Sequence, residues 1–379
     1  MRIAQVSPLI ERVPPSGYGG TERVVSGLTE ELVALGHHVT LFASGDSLTS
    51  AELVACSPRA LRNEAKLGDP ILHYMCMLDE VWRRRDEFDV LHFHIDTLHF
   101  PLFRPVAART LTTLHGRQDL PHLAEVYRRF AAFPLVSISD HQRRAQPQAN
   151  FVATVYHGIA LDLFAPVLQP RGGYLAFLGR ISPEKGVDKA IAIALGAGLP
   201  LKIAAKVDLV DRAYFKEVVA PLLQLPGIEY VGEIGDQQKQ RFLGDALAVL
   251  FPVEWPEPFG LVMIEAMACG SPVLAFRNGS VPEVVKQGVS GIVVGSVEEA
   301  VAALPCLLCL DRGGVRREVE RRFGARRMAW DYIELYERTV ARASGRRARS
   351  LASVSTAAVP SPKPDKRPSL EVLGPASSS

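Results

Sequence analysis

Residues 251–283, FPVEWPEPFGLVMIEAMACGSPVLAFRNGSVPE, restrict what this chain can fold into more than any other part. Phe251 ends the apolar run ALAVLF, which reads as a buried strand. A proline-bound polar loop, Glu254-Trp255-Pro256-Glu257-Pro258, follows it. Gly260 then opens LVMIEAMA, a run of good helix formers that ends at Cys269-Gly270. A second strand, 272–276, runs into the turn Arg277-Asn278-Gly279-Ser280, where another helix starts. Two strand–turn–helix units side by side predict an α/β fold with a parallel sheet, whose ligands sit beyond the carboxyl ends of the strands. Both turns suit a phosphorylated ligand, because Gly260 allows close backbone approach and a helix start offers free N–H groups and a favourable dipole. Glu265 lies in an otherwise apolar helix and needs a partner there. Sugar or ribose hydroxyls would serve, and a position on the solvent edge is the plainer alternative.

Length and composition narrow the class. A chain of 379 residues accommodates two or three domains, and 47% hydrophobic with 22% charged residues is ordinary for a soluble globular protein. A net charge of +2 gives no global reason to expect nucleic acid or a membrane surface. Met1–Val6 reads as a strand too short for a signal peptide, and no apolar stretch approaches a membrane span. The cysteines (Cys56, Cys76, Cys269, Cys306, Cys309) are odd in number and scattered, and read as reduced, buried thiols of a cytoplasmic protein. Cys306-Leu-Leu-Cys309 falls in an expected helix with no second pair, so a structural role is expected for it.

The N-terminal half starts as a Rossmann-like β-loop-α-β unit: strand 2–7, a loop ending in Tyr18-Gly19-Gly20, and a helix with Thr21 as N-cap and Gly36 as C-cap. Glu22 stands where a dinucleotide fingerprint has its third glycine, which disfavours a nicotinamide enzyme. In strand 89–93 the alternation places His92 and His94 on one side. With His99 they would make a metal set, but no Cys or carboxylate cluster completes it. Further strands lead into His115-Gly116 and His157-Gly158. The second half restarts with a strand at 173–178 and the loop Gly179-Arg180-Ile-Ser-Pro-Glu-Lys185-Gly186. One Arg and one Lys there, with no Asp-x-Asp in the chain, suit metal-free neutralisation of a diphosphate; a solvated basic turn is the alternative. The loop is not a Walker A motif, since no Lys-Ser/Thr follows at the required spacing. Residues 344–379 hold nine Ser, five Pro and no aromatic residue, which predicts a disordered tail.

Glu257-Pro-Phe-Gly-Leu-Val-Met-Ile-Glu265 resembles the E-x7-E motif of retaining glycosyltransferases of family 4 (glycosyl transferases group 1). Gly179 to Gly186 resembles that family's G-R-x4-K-G diphosphate motif, and Tyr18-Gly19-Gly20-Thr21-Glu22 its N-terminal glycine loop. His92-x-His94, Thr113-Leu-His115-Gly116 and a loop bearing Gly279 and a cleft-facing Glu283 also match, over roughly residues 1–340. His157 departs from the family's Asn-Gly and leaves the role of that side chain open.

The resemblance implies an α/β GT-B fold, two Rossmann-like α/β/α domains facing across a cleft. The expected parts are an acceptor-side domain 1–160, a linker 161–172, a donor-side domain 173–325, a helix 326–343 crossing back to the first domain, and the tail 344–379. It implies retaining, metal-independent transfer of a sugar from a nucleotide-diphosphate sugar, with no cofactor and no metal site. Arg180 and Lys185 would hold the diphosphate, aided by the backbone of Phe259, Gly260 and Leu261. Glu265 would bind ribose, Glu257 and His115 the donor-sugar hydroxyls, and Gly19 and Gly20 would close on the phosphates. The acceptor (sugar, lipid or small molecule), the base and the linkage are not specified. No nucleic-acid partner is expected, and peripheral membrane contact stays open. The alternatives are a non-catalytic sugar-nucleotide binding protein and a GT-B fold sugar-nucleotide epimerase. A phosphorylase would need a pyridoxal-binding Lys motif, which the sequence lacks.

Overall fold

Strand formation follows the apolar runs. A computed structural model describes residues 1–17, 19–63 and 69–355. Seven strands form the first sheet: β1 (Arg2–Val6), β2 (His38–Ser44), β3 (Glu52–Ser57), β4 (Val90–Phe93), β5 (Thr110–Thr113), β6 (Leu135–Ser137) and β7 (Phe151–Thr154). Six form the second: β8 (Leu175–Arg180), β9 (Leu201–Lys206), β10 (Ile228–Gly232), β11 (Ala248–Phe251), β12 (Val273–Phe276) and β13 (Gly291–Val294). The orders are β3-β2-β1-β4-β5-β6-β7 and β10-β9-β8-β11-β12-β13, and every pairing is parallel. Central strands such as β4, β5, β11 and β12 are buried along their whole length, as strands covered by helices on both faces must be. In each sheet the chain builds outward from its first strand and then returns to that strand's other side. The strand order therefore reverses at β1/β4 and at β8/β11, and a crevice opens beyond the carboxyl ends at each reversal. The two crevices share one cleft, whose walls include His115 from the first domain and Arg180 and Phe251 from the second.

The chain crosses between the domains twice, and the crossings run side by side. Ile159 N–H donates to the Phe323 carbonyl at 2.9 Å, and Ala325 N–H donates to the Ile159 carbonyl at 2.9 Å. A Cβ on Gly158 would lie 2.5 Å from the Gly324 carbonyl oxygen, so only glycine lets the two backbones meet so closely. After the second crossing the helix Ala325–Ser355 lies back on the first domain. Its Met328, Tyr332, Ile333 and Tyr336 pack with Ile3, Val24, Leu28, Val90 and Leu111 in one buried cluster.

Several expectations change. The helix that begins at residue 20 is capped by Gly19, whose backbone leads into it, so Thr21 is inside the helix rather than its cap. The last helix does not stop near residue 343 but continues to Ser355, with Arg346, Arg347, Ala348, Arg349, Leu351 and Ala352 as helix formers among four serines and Gly345. The rest of the expected tail, 356–379, and Tyr18 of the glycine loop lie outside the described residues. Of the cysteines only Cys269 is buried; Cys76, Cys306 and Cys309 are exposed. The last two lie off the buried stripe Ala300, Leu304 and Leu307 of the helix Val297–Leu308. Among the described residues no helix is long and apolar enough to cross a membrane.

The returning helix is held mainly by its buried aromatic rings. Tyr332→Ala should cost about 3–5 kcal/mol, the usual loss for a buried aromatic side chain, as measured by urea unfolding. A loss below about 1 kcal/mol would show that the helix is not anchored there.

Candidate active site

The cleft between the domains encloses about 440 Å³. Its second-domain wall begins where β8 ends. Arg180 is the last residue of that strand, and the short loop after it turns back at Gly186, φ +69°. A Cβ at Gly186 would lie 2.1 Å from the Pro252 carbonyl oxygen, so glycine lets this loop seat against the end of β11. The guanidinium of Arg180 pairs with Glu184 and lies 3.6 Å from both Asp208 and Asp211. Lys185 Nζ donates to Glu257 Oε2 at 2.5 Å, and Trp255 Nε1 donates to the same oxygen at 2.9 Å. The ammonium also sits 4.8 Å from the centre of the Trp255 ring. Glu257 is thus a buried carboxylate with one oxygen doubly bound and its geometry fixed.

The turn carrying Glu257 is supported from beneath. Gly279 has φ +58°, and a Cβ there would stand 2.2 Å from the Glu257 carbonyl oxygen. Ser280 N–H donates to that carbonyl at 2.9 Å. Gly260, φ +80°, then turns the chain into the helix Leu261–Ala268, which has no side-chain cap. Its N-terminus borders the cleft through Gly260, Leu261 and Val262, with its first N–H groups available to an anion. Glu265, 2% exposed, is not on a solvent edge. Lys239 Nζ donates to it at 2.8 Å, and Arg23 Nε of the first domain lies 3.7 Å away. Arg23 also bonds Asp236 at 2.8 Å, so one guanidinium ties the first domain to two carboxylates of the second.

On the first-domain wall, Gly19 and Gly20 open the helix Gly20–Ala34, and a Cβ on Gly20 would meet Leu261 across the cleft at 3.4 Å. Glu11, paired with Arg62, and Glu22 line the same wall. Burial pushes the Glu22 carboxyl up to about 7. His115 follows β5. Its Nε2 lies 2.9 Å from His94 Nδ1, its buried Nδ1 has no hydrogen-bond partner, and burial pushes its pKa down to about 3. The ring is therefore neutral near pH 7. His157 stacks on it at 5.1 Å and meets Phe259 edge-on at 4.9 Å.

His115, Arg180, Lys185, Glu257, Gly19, Gly20, Phe259, Gly260, Leu261 and Glu265, drawn from distant parts of the sequence, all line this one cleft. Glu283 does not. Its carboxylate accepts from the N–H groups of Asp140 (2.8 Å) and His141 (2.7 Å) and from Tyr156 Oη (3.1 Å). It clasps the first domain instead of facing a ligand. His92 and His94 lie behind His115 with both ring nitrogens of each hydrogen-bonded. Among the described residues no group of three or more His, Cys, Asp or Glu is placed to hold a metal. Lys239, Arg23 and Trp255 escaped sequence reasoning. Trp255 adjoins the motif and was within reach, whereas Lys239 and Arg23 stand at no informative spacing from Glu265.

The comparisons with known proteins agree with this architecture. Residues 163–319 match the family model "Glycosyl transferases group 1" and residues 18–165 match "Glycosyltransferase Family 4". The phosphatidyl-myo-inositol mannosyltransferase of Mycobacterium leprae (strain TN) is 26% identical over 88% of this chain and 94% of its own. The D-inositol 3-phosphate glycosyltransferase of Salinispora arenicola (strain CNS-205) is 31% identical, over 50% of this chain and only 46% of its own length. The crystal structure of AviGT4, a glycosyltransferase involved in avilamycin A biosynthesis, superimposes with a TM-score of 0.70 at 25% identity, covering 90% of this chain and 98% of that one. The chain belongs to family 4 of the glycosyltransferases and has their two-domain GT-B fold.

Glu265 depends on Lys239. Lys239→Met should destabilise the protein by about 3 kcal/mol in urea, because a buried carboxylate loses its nearest cation. The double variant Lys239→Met/Glu265→Gln should regain most of that loss. A double-variant loss equal to the sum of the losses in Lys239→Met and Glu265→Gln alone would show that the pair is not coupled.

Proposed function

We propose that the chain moves a sugar from a nucleotide-diphosphate sugar to a hydroxyl acceptor, with retention at the anomeric carbon and without a metal ion. One observation carries this reading. Two cations at the end of β8, Arg180 and Lys185, share a cleft with the uncapped start of the helix Leu261–Ala268 and with two fixed carboxylates, Glu257 and Glu265. Cations and free N–H groups suit a diphosphate, and carboxylates suit hydroxyl donors.

In this reading Arg180 and Lys185 bind the diphosphate and stabilise the charge it gains as the bond from the anomeric carbon to phosphate oxygen breaks. The backbone of Phe259, Gly260 and Leu261 adds N–H groups to the same anion. Gly19 and Gly20 close on it from the first domain. Glu265 accepts from ribose hydroxyls. Glu257 and His115 accept from hydroxyls of the sugar; His115, being neutral, serves as an acceptor rather than as a base. The acceptor hydroxyl attacks from the face the diphosphate leaves, and its proton passes to the departing diphosphate oxygen. A double displacement would need a carboxylate nucleophile and a separate acid on opposite sides of the anomeric carbon, and no motif in the sequence marks such a pair. The names of the relatives make polyols of the inositol type the first acceptors to try.

A thermal-shift screen against UDP-, GDP- and ADP-sugars, with and without EDTA, tests the donor site. A ligand at 100 times its Kd adds about 2.7 kcal/mol of stability. One nucleotide series should raise Tm, and EDTA should leave the shift intact. No shift with any series, in folded protein, would sink the reading. With donor and acceptor in hand, Lys185→Ala should lower kcat by about 100-fold or more, the worth of one preorganised donor to a developing oxyanion.

A further inference from the structure

Behind the cleft runs a continuous buried chain of side-chain hydrogen bonds. His115 Nε2 meets His94 Nδ1 at 2.9 Å. His94 Nε2 meets Gln5 Oε1 at 2.8 Å, and Gln5 Nε2 donates to Tyr336 Oη at 2.9 Å. Tyr336 Oη meets His92 Nδ1 at 2.8 Å, His92 Nε2 meets Thr113 Oγ1 at 2.8 Å, and Thr113 meets Tyr332 Oη at 2.7 Å. Gln5, His92, Thr113, Tyr332 and Tyr336 are all at or near zero exposure, and His94 is at 3%. Burial holds His92, His94 and His115 neutral, so each ring carries one N–H and one bare nitrogen.

A chain of neutral rings has a direction, and an amide sets it. Gln5 gives its NH₂ to Tyr336, which leaves its carbonyl oxygen for His94. A carbonyl only accepts, so the His94 proton is on Nε2 and its Nδ1 is bare. His115 must then donate from Nε2, and its own Nδ1 is the bare nitrogen. That Nδ1 is the atom at the end of the chain that finds no partner in the protein. An unpaired buried polar atom on a residue that lines the cleft calls for a donor from a ligand.

We propose that Gln5 and His94 are positioning residues that hold His115 in the Nε2–H tautomer, so that its bare Nδ1 accepts a hydrogen bond from a hydroxyl of the bound sugar. Tyr336 of the returning helix continues the chain, taking the Gln5 amide on its hydroxyl. The tautomer itself is independent of the donor-site reading; only its use on a sugar hydroxyl rests on that reading. The opposite tautomer would present an N–H to the same place and would favour a ligand acceptor instead.

The tautomer is measured without any ligand. In ¹⁵N-histidine-labelled full-length protein, imidazole spectra assigned by single His→Asn substitutions should show His94 and His115 both protonated at Nε2. Gln5→Met removes the acceptor that keeps the His94 proton in place. It should bring protonation to His115 Nδ1 and lower kcat/KM for the sugar nucleotide about tenfold, the worth of one hydrogen bond. A merely structural Gln5 would alter stability in Gln5→Met without moving the His115 proton. Protonation of His115 at Nδ1 in the wild type overturns the proposal, as does a Gln5→Met variant with tautomer and kcat/KM unchanged. If the wild type binds no sugar nucleotide, the spectra still decide the tautomer, and it is the donor-site reading that has failed.

Discussion

Buried opposite charges, each held by another element, are what the rest of this structure depends on. Lys185 on the loop after β8 holds Glu257 on the loop after β11. Lys239 and Arg23 hold Glu265 from two different domains. Arg180 lies among Glu184, Asp208 and Asp211. A lone buried carboxylate costs several kcal/mol, so Glu257 and Glu265 each fix where their cations, and the segments bearing those cations, must be. Because Arg23 comes from the first domain, the charge balance of the cleft and the docking of the domains are partly one interaction. An anion entering the cleft therefore exchanges partners with carboxylates already in place instead of meeting bare cations. Such an exchange leaves the displaced acids in need of donors, so it favours a ligand that also presents hydroxyls to them.

Much of the architecture was legible in the sequence because parallel strands covered on both faces are plain apolar runs, and because glycine marks the turns. Gly36, Gly186, Gly260, Gly270 and Gly279 all have φ between +58° and +85°, where a side chain would be strained. The site residues were legible where they cluster in one motif, as in Glu257 to Glu265. What escaped notice were partners brought in by tertiary structure. Lys239 and Arg23 are single charges on polar helix faces, and nothing local marks them as the cations of Glu265. Glu283 is similar: its carboxylate reads as a ligand contact in sequence, yet it caps backbone N–H groups at residues 140 and 141. His157 replaces the expected Asn, and only the folded chain shows that its ring lies flat on His115.

The histidine chain shows the same limit. Alternation along β4 predicted that His92 and His94 share a side, and their ring centres are 4.1 Å apart. Their purpose was not readable, because the groups that satisfy them are Gln5 and Tyr336, 331 positions apart. In place of a metal, the rings meet an amide and a phenol. Buried polar networks of this kind stabilise one arrangement of a core only when every member is paired, and here the interior members are.

The return of the last helix also sets an order of events as the chain is made. Tyr332 and Tyr336 close the core that contains Ile3, Val24, Leu28 and Val90, yet they are translated after the whole second domain. Domains ordinarily finish in the order in which they leave the ribosome. In this protein the first domain begins first and is completed last. Until residues 325–336 emerge, the part of that sheet face beside the helix Gly20–Ala34, and the polar groups of Gln5, His92 and Thr113, lack the cover that the last helix supplies. Nascent chains halted before that point carry an open, sticky surface, which makes them natural clients for a chaperone.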